Sequence, residues 1–120
     1  MSRDHRKLNV FQQADSLILW VYAETASFPT EERFGLCAQV RRSAVSVATN
    51  IVEGCARRST GEYLQFMNVA TGSAAERLYL IDVSQRLGFF RSNGHEALLA
   101  EYTRVVQGLK KLVNTLECAR

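Results

Sequence analysis

Proline is nearly missing from this chain and glycine is sparse: one proline and seven glycines in 120 residues. A turn-rich all-β domain uses both freely, so that class is set aside. Histidine occurs only at His5 and His95. Neither completes a Glu-x-x-His unit, which removes the di-metal site that a bundle bearing carboxylates would otherwise invite. The three cysteines include no Cys-x-x-Cys pair, so zinc is not expected. Cys37 and Cys55 have no histidine near them in sequence to support a thiolate nucleophile. There is no Gly-x-Ser-x-Gly elbow and no P-loop. No metal and no cofactor is therefore expected. The apolar run Leu17–Tyr22 is too short to span a bilayer. The charged stretch Met1–Lys7 is not followed by a secretory apolar region, so no membrane association is expected. Strong charge of one sign is missing too. Fifteen Lys+Arg against twelve Asp+Glu give +3, which permits a nucleic-acid partner without requiring one.

What is present is helical periodicity over one domain, residues 1–120. The first amphipathic segment runs from about Val10 to Ala26, with Phe11, Ala14, Ile18, Val21 and Tyr22 facing the core. The second starts at Thr30, a suitable N-cap followed by Glu31 and Glu32, and ends near Arg57 and Arg58. The third opens on Ser59-Thr60-Gly61-Glu62, the spacing of a capping box, and ends near Gly88. It buries Tyr63, Phe66, Met67, Ala70, Ala74, Ile81 and Leu87. The fourth opens between Ser92 and Glu96 and runs to about Glu117, with Leu98, Tyr102, Val105, Leu109, Leu112, Val113 and Leu116 in one stripe. Four helices with short connections specify an all-α fold, an antiparallel up-down-up-down four-helix bundle. Cys37 and Cys55 lie five turns apart on one helix, ~27 Å, beyond disulfide reach and on the same apolar side. Buried reduced thiols, and with them a cytoplasmic location, fit best.

The second helix carries a polar seam. Gln39, Ser43, Ser46, Asn50, Glu53 and Arg57 recur at steps of three and four, within an arc of roughly 80°. Such a seam beside a core either forms a hydrogen-bonded network or lines a polar surface. Glu53 and Glu76 form the only catalytic hypothesis, as a general acid and base. The structural alternative outweighs it: a buried polar network of Arg42, Ser46, Asn50, Glu53, Ser73, Glu76 and Arg77. Arg77 lies near the middle of its helix's apolar face and, if buried, needs an anionic partner. No enzyme is expected.

Two helices have more apolar surface than one core needs. Leu19 and Trp20 point away from the core face of the first, and Phe34, Ala38, Val45 and Val52 flank the main stripe of the second. A homo-oligomer with Leu19, Trp20, Val45 and Val52 in its interface is expected. The cations come in pairs: Arg41 with Arg42, Arg57 with Arg58, and Lys110 with Lys111, besides Arg3, Arg6 and Lys7. Repeated around an oligomer, such pairs attract polyanions. Those six paired residues are the candidate nucleic-acid contacts, acting through phosphates and shape, since no recognition pattern for bases is visible.

The run Phe28–Glu76 also carries the elements F-P, E-x-F-G-L-x-x-Q-x-R-R, S-V-x-x-N-I-x-E-G, R-x-S-x-x-E and G-S-x-x-E. Together they resemble the bacterial four-helix-bundle proteins encoded within intervening sequences of 23S ribosomal RNA genes. That family in turn resembles the accessory protein of diversity-generating retroelements, a barrel-shaped homopentamer that binds nucleic acid and a reverse transcriptase. The resemblance implies a cytosolic bundle assembled as a homopentamer, with an RNA-related role. Arg41, Arg42, Asn50, Glu53, Arg57, Ser73 and Glu76 are the polar residues that match the motifs. Two functions follow as expectations: binding of structured RNA or RNA/DNA through arginine-rich surface, or a protein-interaction scaffold that binds no nucleic acid.

Overall fold

The computed structural model describes residues 3–91 and 93–119. A 3-10 turn at His5–Lys7 leads into α1 (Asn9–Thr25). A second 3-10 turn at Thr30–Glu32 precedes α2 (Leu36–Cys55), and α3 (Thr60–Arg86) and α4 (Gly94–Ala119) follow. No strand occurs among the described residues. Each helix packs on two neighbours in the cyclic order α1, α2, α3, α4, and α1 lies diagonally across from α3.

Direction follows from which residues meet. The Ser46 and Ser73 hydroxyls lie 3.0 Å apart near the middle of α2 and α3, and the Val40 carbonyl meets Arg77. Arg41 reaches Thr25 on α1, Tyr102 on α4 lies beneath Arg77 on α3, and Val10 on α1 neighbours Gly108 on α4. Every adjacent pair is thus antiparallel, as the short connections require.

Local chemistry explains the helix ends. The Ser59 hydroxyl accepts from the Glu62 N–H at 3.1 Å and donates to the Glu62 carboxylate at 3.2 Å, so Ser59 caps α3 and the Glu62 carboxylate takes the hydroxyl, only half of the expected capping box. α3 stops at Gly88, whose φ of +76° turns the chain where other residues would be strained. Thr30 does not cap α2. It opens the short 3-10 turn instead, and the Glu32 carboxylate accepts from the Leu36 N–H at 3.0 Å. The helix therefore starts six residues later than its periodicity suggests. The interruption falls at Gly35, whose backbone is outside the helical region. Ser92, at the expected opening of α4, lies outside the described residues; the helix itself begins at Gly94.

The core is the interior of the four helices. Ala14, Leu17 and Val21 meet Val40, Ala44, Val47 and Ile51, then Tyr63, Met67, Ala70 and Ile81, then Leu98, Tyr102, Val105 and Leu109. Burying a full aliphatic or aromatic side chain contributes about 1.5–3 kcal/mol, so this column is the main stabilising element. Gly54 lets α2 and α3 approach closely: a Cβ there would lie 2.7 Å from Met67 Cε and 2.9 Å from Phe66 Cβ. Cys37 and Cys55 are buried free thiols. Two residues expected inside are exposed. Tyr22 sits at the rim under Arg41, and Leu87 lies beyond the end of α3. Phe11, Ile18, Phe66, Leu112 and Leu116 are half-buried and pack on the margin of the core. Among the described residues, no helix is long and apolar enough to cross a membrane.

Candidate nucleic-acid interface and the polar seam

The seam of α2 becomes the wall of a groove between α2 and α3, lined by Gln39, Arg42, Ser43, Ser46 and Glu76. Asn50 Nδ2 donates to the Ser46 carbonyl at 2.8 Å and to its Oγ at 3.0 Å, and that Oγ is the one bonded to Ser73. Ser46, Asn50 and Ser73 are thus a half-buried hydrogen-bonded triad. The charged members of the expected network are placed differently. Arg42, Glu53 and Glu76 are exposed, and among the described residues no ion pair joins either glutamate to an arginine. They point outward because the hydroxyls and the amide already close the helix contact, and taking a carboxylate out of water there would cost several kcal/mol. Glu76 stands level with Ser43, so Glu53 lies ten residues further down α2, ~15 Å at 1.5 Å per residue. That distance does not suit an acid and base acting on one substrate atom.

Arg77 is the charged residue that enters the core, at 0% exposure. Among the described residues it has no anionic contact. Nη1 donates to the Val40 carbonyl at 2.8 Å and to Ser43 Oγ at 3.3 Å, and the guanidinium carbon stands 4.8 Å from the centre of the Tyr102 ring. Among the described residues, Nε, Nη2 and the Tyr102 hydroxyl find no hydrogen-bond partner. Burial pushes the Arg77 pKa down, while Tyr102 and the charge of Glu76 act against that shift. An electron-rich ring face and two oxygens thus stand where a carboxylate was expected.

Seven basic residues lie towards one end of the bundle, and one of them, Arg6, is paired with Asp4 at 3.0 Å. Arg3 donates its N–H to the Cys55 carbonyl at 2.8 Å, and its guanidinium stands 4.0 Å above the Tyr63 ring. The start of the chain, the end of α2 and the start of α3 therefore share that end, bringing Arg3, Arg6 and Lys7 beside Arg57 and Arg58. Arg57 lies 4.8 Å over Phe66. Lys110 borders the α3–α4 groove with Asn68 and Thr71, and Lys110 and Lys111 are both exposed. The opposite end, where Phe28 packs on Phe89 and Phe90, carries Glu24, Glu31, Glu32, Asp82 and Glu96 together with Arg33, Arg86 and Arg91. Arg41 lies on this second half, beside the end of α1. Its Nε donates to Thr25 Oγ1 at 2.8 Å and Nη2 to the Tyr22 carbonyl at 3.3 Å, with the Tyr22 ring 4.5 Å away. Arg41 therefore ties α2 to α1.

The surplus apolar surface is also rearranged. Leu19 and Val45 are exposed and Val52 is half-buried. Trp20 is half-buried in a different groove, between α1 and α4, where its indole N–H donates to Glu24 at 3.3 Å and Glu101 lies opposite. Its place on the α1–α2 surface is taken by Tyr22 and Phe34, which line a groove there with Ala38, Val45 and Arg33, Arg41 and Arg42.

Residues 6–111 match the family model described as 23S rRNA-intervening sequence protein. The chain belongs to that family. A solved structure from Bacteroides thetaiotaomicron, described as a protein of unknown function from the S23 ribosomal protein family, has the same fold. It aligns with a TM-score of 0.79 and 19% identity, over 88% of this chain and 95% of that one. No curated protein matches the chain.

Within this 23S rRNA-intervening sequence family member, the residue that the local pattern fails to single out is Tyr102. It reads as one more core aromatic in the stripe of α4, and nothing in the spacing announces that it lies under Arg77. The stacks of Arg3 on Tyr63 and Arg41 on Tyr22 are likewise contacts between distant segments, invisible in a local pattern. Phe34 carries a signal: a large apolar residue between Arg33 and Gly35 has no helical face to join, and it is 87% exposed.

Proposed function

We propose that this chain is a non-enzymatic, homo-oligomeric bundle of the cytoplasm that binds structured RNA, or RNA/DNA intermediates, through its basic end. The observation that carries this reading is the gathering of Arg57, Arg58, Lys110 and Lys111 with Arg3, Arg6 and Lys7 on one half of the molecule. Guanidinium and ammonium groups so arranged contact phosphates without reading bases, and an oligomer multiplies them into a continuous basic surface. The family's name, taken from an intervening sequence of 23S rRNA, agrees with an RNA ligand. Arg41 adds charge but is held by α1, so it is a poor choice for a test. The exposed Leu19, Tyr22, Phe34 and Val45 support the homo-oligomer.

The test is binding of a labelled RNA hairpin and a matched DNA duplex by wild type and by a variant with Arg57, Arg58, Lys110 and Lys111 all replaced by Ala, each checked for unchanged mass. Affinity lost in the variant supports the reading. Equal affinity in both places the site elsewhere. The exposed Phe34 and Leu19 also favour a second reading, a protein-interaction scaffold; it holds if neither nucleic acid binds and a protein partner binds with little dependence on salt.

A further inference from the structure

We infer that the groove between α3 and α4 takes one unpaired nucleotide of the bound RNA, its phosphate on Lys110 and its base against the Asn68 and Asn114 amides. The inference rests on the RNA reading and adds to it which part of the RNA is held, and where.

Asn68 and Thr71 on α3 and Lys110, Val113 and Asn114 on α4 line this groove, which encloses about 300 Å³. Val113 is buried and gives it an apolar floor, while Asn68, Lys110 and Asn114 stand exposed at its rim. Lys110 and Asn114 are one turn apart on a single face of α4, ~5.4 Å along the axis. That step is on the scale of the separation between a nucleotide's phosphate and its own base. Asn68 reaches the groove from the opposite wall. Phosphate, ring face and base edge therefore each meet suitable chemistry: an ammonium group, a valine, and amides that both donate and accept.

These two amides differ from others in the bundle. Asn50 is committed to Ser46, and Gln12 to the Arg6 carbonyl. The Thr71 hydroxyl is likewise committed, donating to the Met67 carbonyl at 2.8 Å. Among the described residues, the Asn68 and Asn114 side chains make no such bond. Their donors and acceptors face the groove's mouth, where an amide can meet a base edge at two points.

The grooves between the other helix pairs lack this combination. The α1–α4 groove is lined by Glu101 and by no cation. In the α2–α3 groove Glu76 accompanies Arg42 and would repel a phosphate. The α1–α2 groove has three arginines but no amide. The α3–α4 groove is lined by no acid, and with Lys111 beside it, it continues the basic surface on which the RNA reading rests. It is too narrow for a duplex, whose bases are paired with one another and stacked. A nucleotide splayed out of a loop or bulge can enter it.

The experiment measures affinity for three RNAs: a hairpin, the same hairpin with an abasic loop, and a fully paired duplex of equal length. Wild type should prefer the intact hairpin over the other two by roughly tenfold. A variant carrying both Asn68→Ala and Asn114→Ala should lose that preference and bind the duplex as wild type does. Its salt dependence should not change, because amides release no counterions. Lys110→Ala should weaken hairpin binding and lower its salt slope by about one. All three sites are exposed, and circular dichroism confirms that each variant folds. A wild type that binds none of the three RNAs rejects the RNA reading and the inference with it. Equal binding of the three RNAs, a loop preference kept by the double variant, or an unchanged slope in Lys110→Ala leaves the RNA reading standing and rejects this groove as the nucleotide's place.

Discussion

Replacing Arg77 by Met should leave the protein as stable as before or more so. The side chain is fully buried, with three donor or acceptor atoms around it left without partners: its Nε and Nη2 and the Tyr102 hydroxyl. In favour of arginine stand two hydrogen bonds from Nη1 and the Tyr102 ring. A hydrogen bond to a charged group contributes about 1.5–3 kcal/mol, and a desolvated cation over an aromatic ring about 2 kcal/mol. Against it stands the desolvation of the cation, several kcal/mol per buried ion. Removing the guanidinium strands nothing on α2. The Val40 carbonyl keeps its helical bond, and Ser43 Oγ donates to that same carbonyl at 3.0 Å. Methionine fills most of the volume with a flexible apolar chain. The balance is a change of about 0–2 kcal/mol towards stability, as replacements of buried ionic groups by apolar ones often give. Arg77→Ala should instead lose about 2–5 kcal/mol, because it leaves a cavity. Urea unfolding at fixed protein concentration, with the slope compared between variants, measures both. A loss of about 3 kcal/mol or more in the Met variant would refute the reasoning and show that the polar contacts outweigh desolvation.

Three further outcomes follow from named contacts. Burial pushes up the Cys55 thiol and the Tyr63 and Tyr102 phenols. The unfolded chain then releases these protons first, so stability is full below pH 9 and falls as pH rises through 9 and 10. Melting curves from pH 8 to 11 should show the fall, and Tyr63→Phe should flatten it. Gly54→Ala should destabilise by about 1–3 kcal/mol, because the new methyl must displace Met67 and Phe66; an unchanged urea midpoint contradicts the close helix approach. Ser59→Ala should lose about 1 kcal/mol through the α3 cap, whereas Ser59→Asp should keep most of it.

The helices were legible because burial repeats at their own period. Val40, Ala44, Val47 and Ile51 form a stripe that only one face can hold, and Leu98, Tyr102, Val105 and Leu109 do the same on α4. The cap at Ser59 was legible for a local reason, since both partners lie within one turn. The start of α2 was not, because Glu32 caps it from beyond the interruption at Gly35, an arrangement that depends on how the turn folds. The polar seam was visible as a pattern, but its charged and uncharged members separate in space. Ser46, Asn50 and Ser73 turn inward to one another, and Arg42, Glu53 and Glu76 turn outward. Periodicity places residues on a face; it does not say which of them finds a partner across the helix contact. Arg77 shows the same limit. Its burial could be read from its position on the apolar face, but its partners belong to α2 and α4.

The central claim is phosphate binding by the basic end, and the most direct test is affinity for a folded RNA as salt is raised. Four contacts from Arg57, Arg58, Lys110 and Lys111 should weaken binding by roughly a hundredfold between about 50 and 200 mM salt. Removing Arg57 and Arg58 should lower the slope by about two while the assembly mass is unchanged. An intact assembly that binds no RNA at the lower salt, or whose slope is the same without those arginines, contradicts the account.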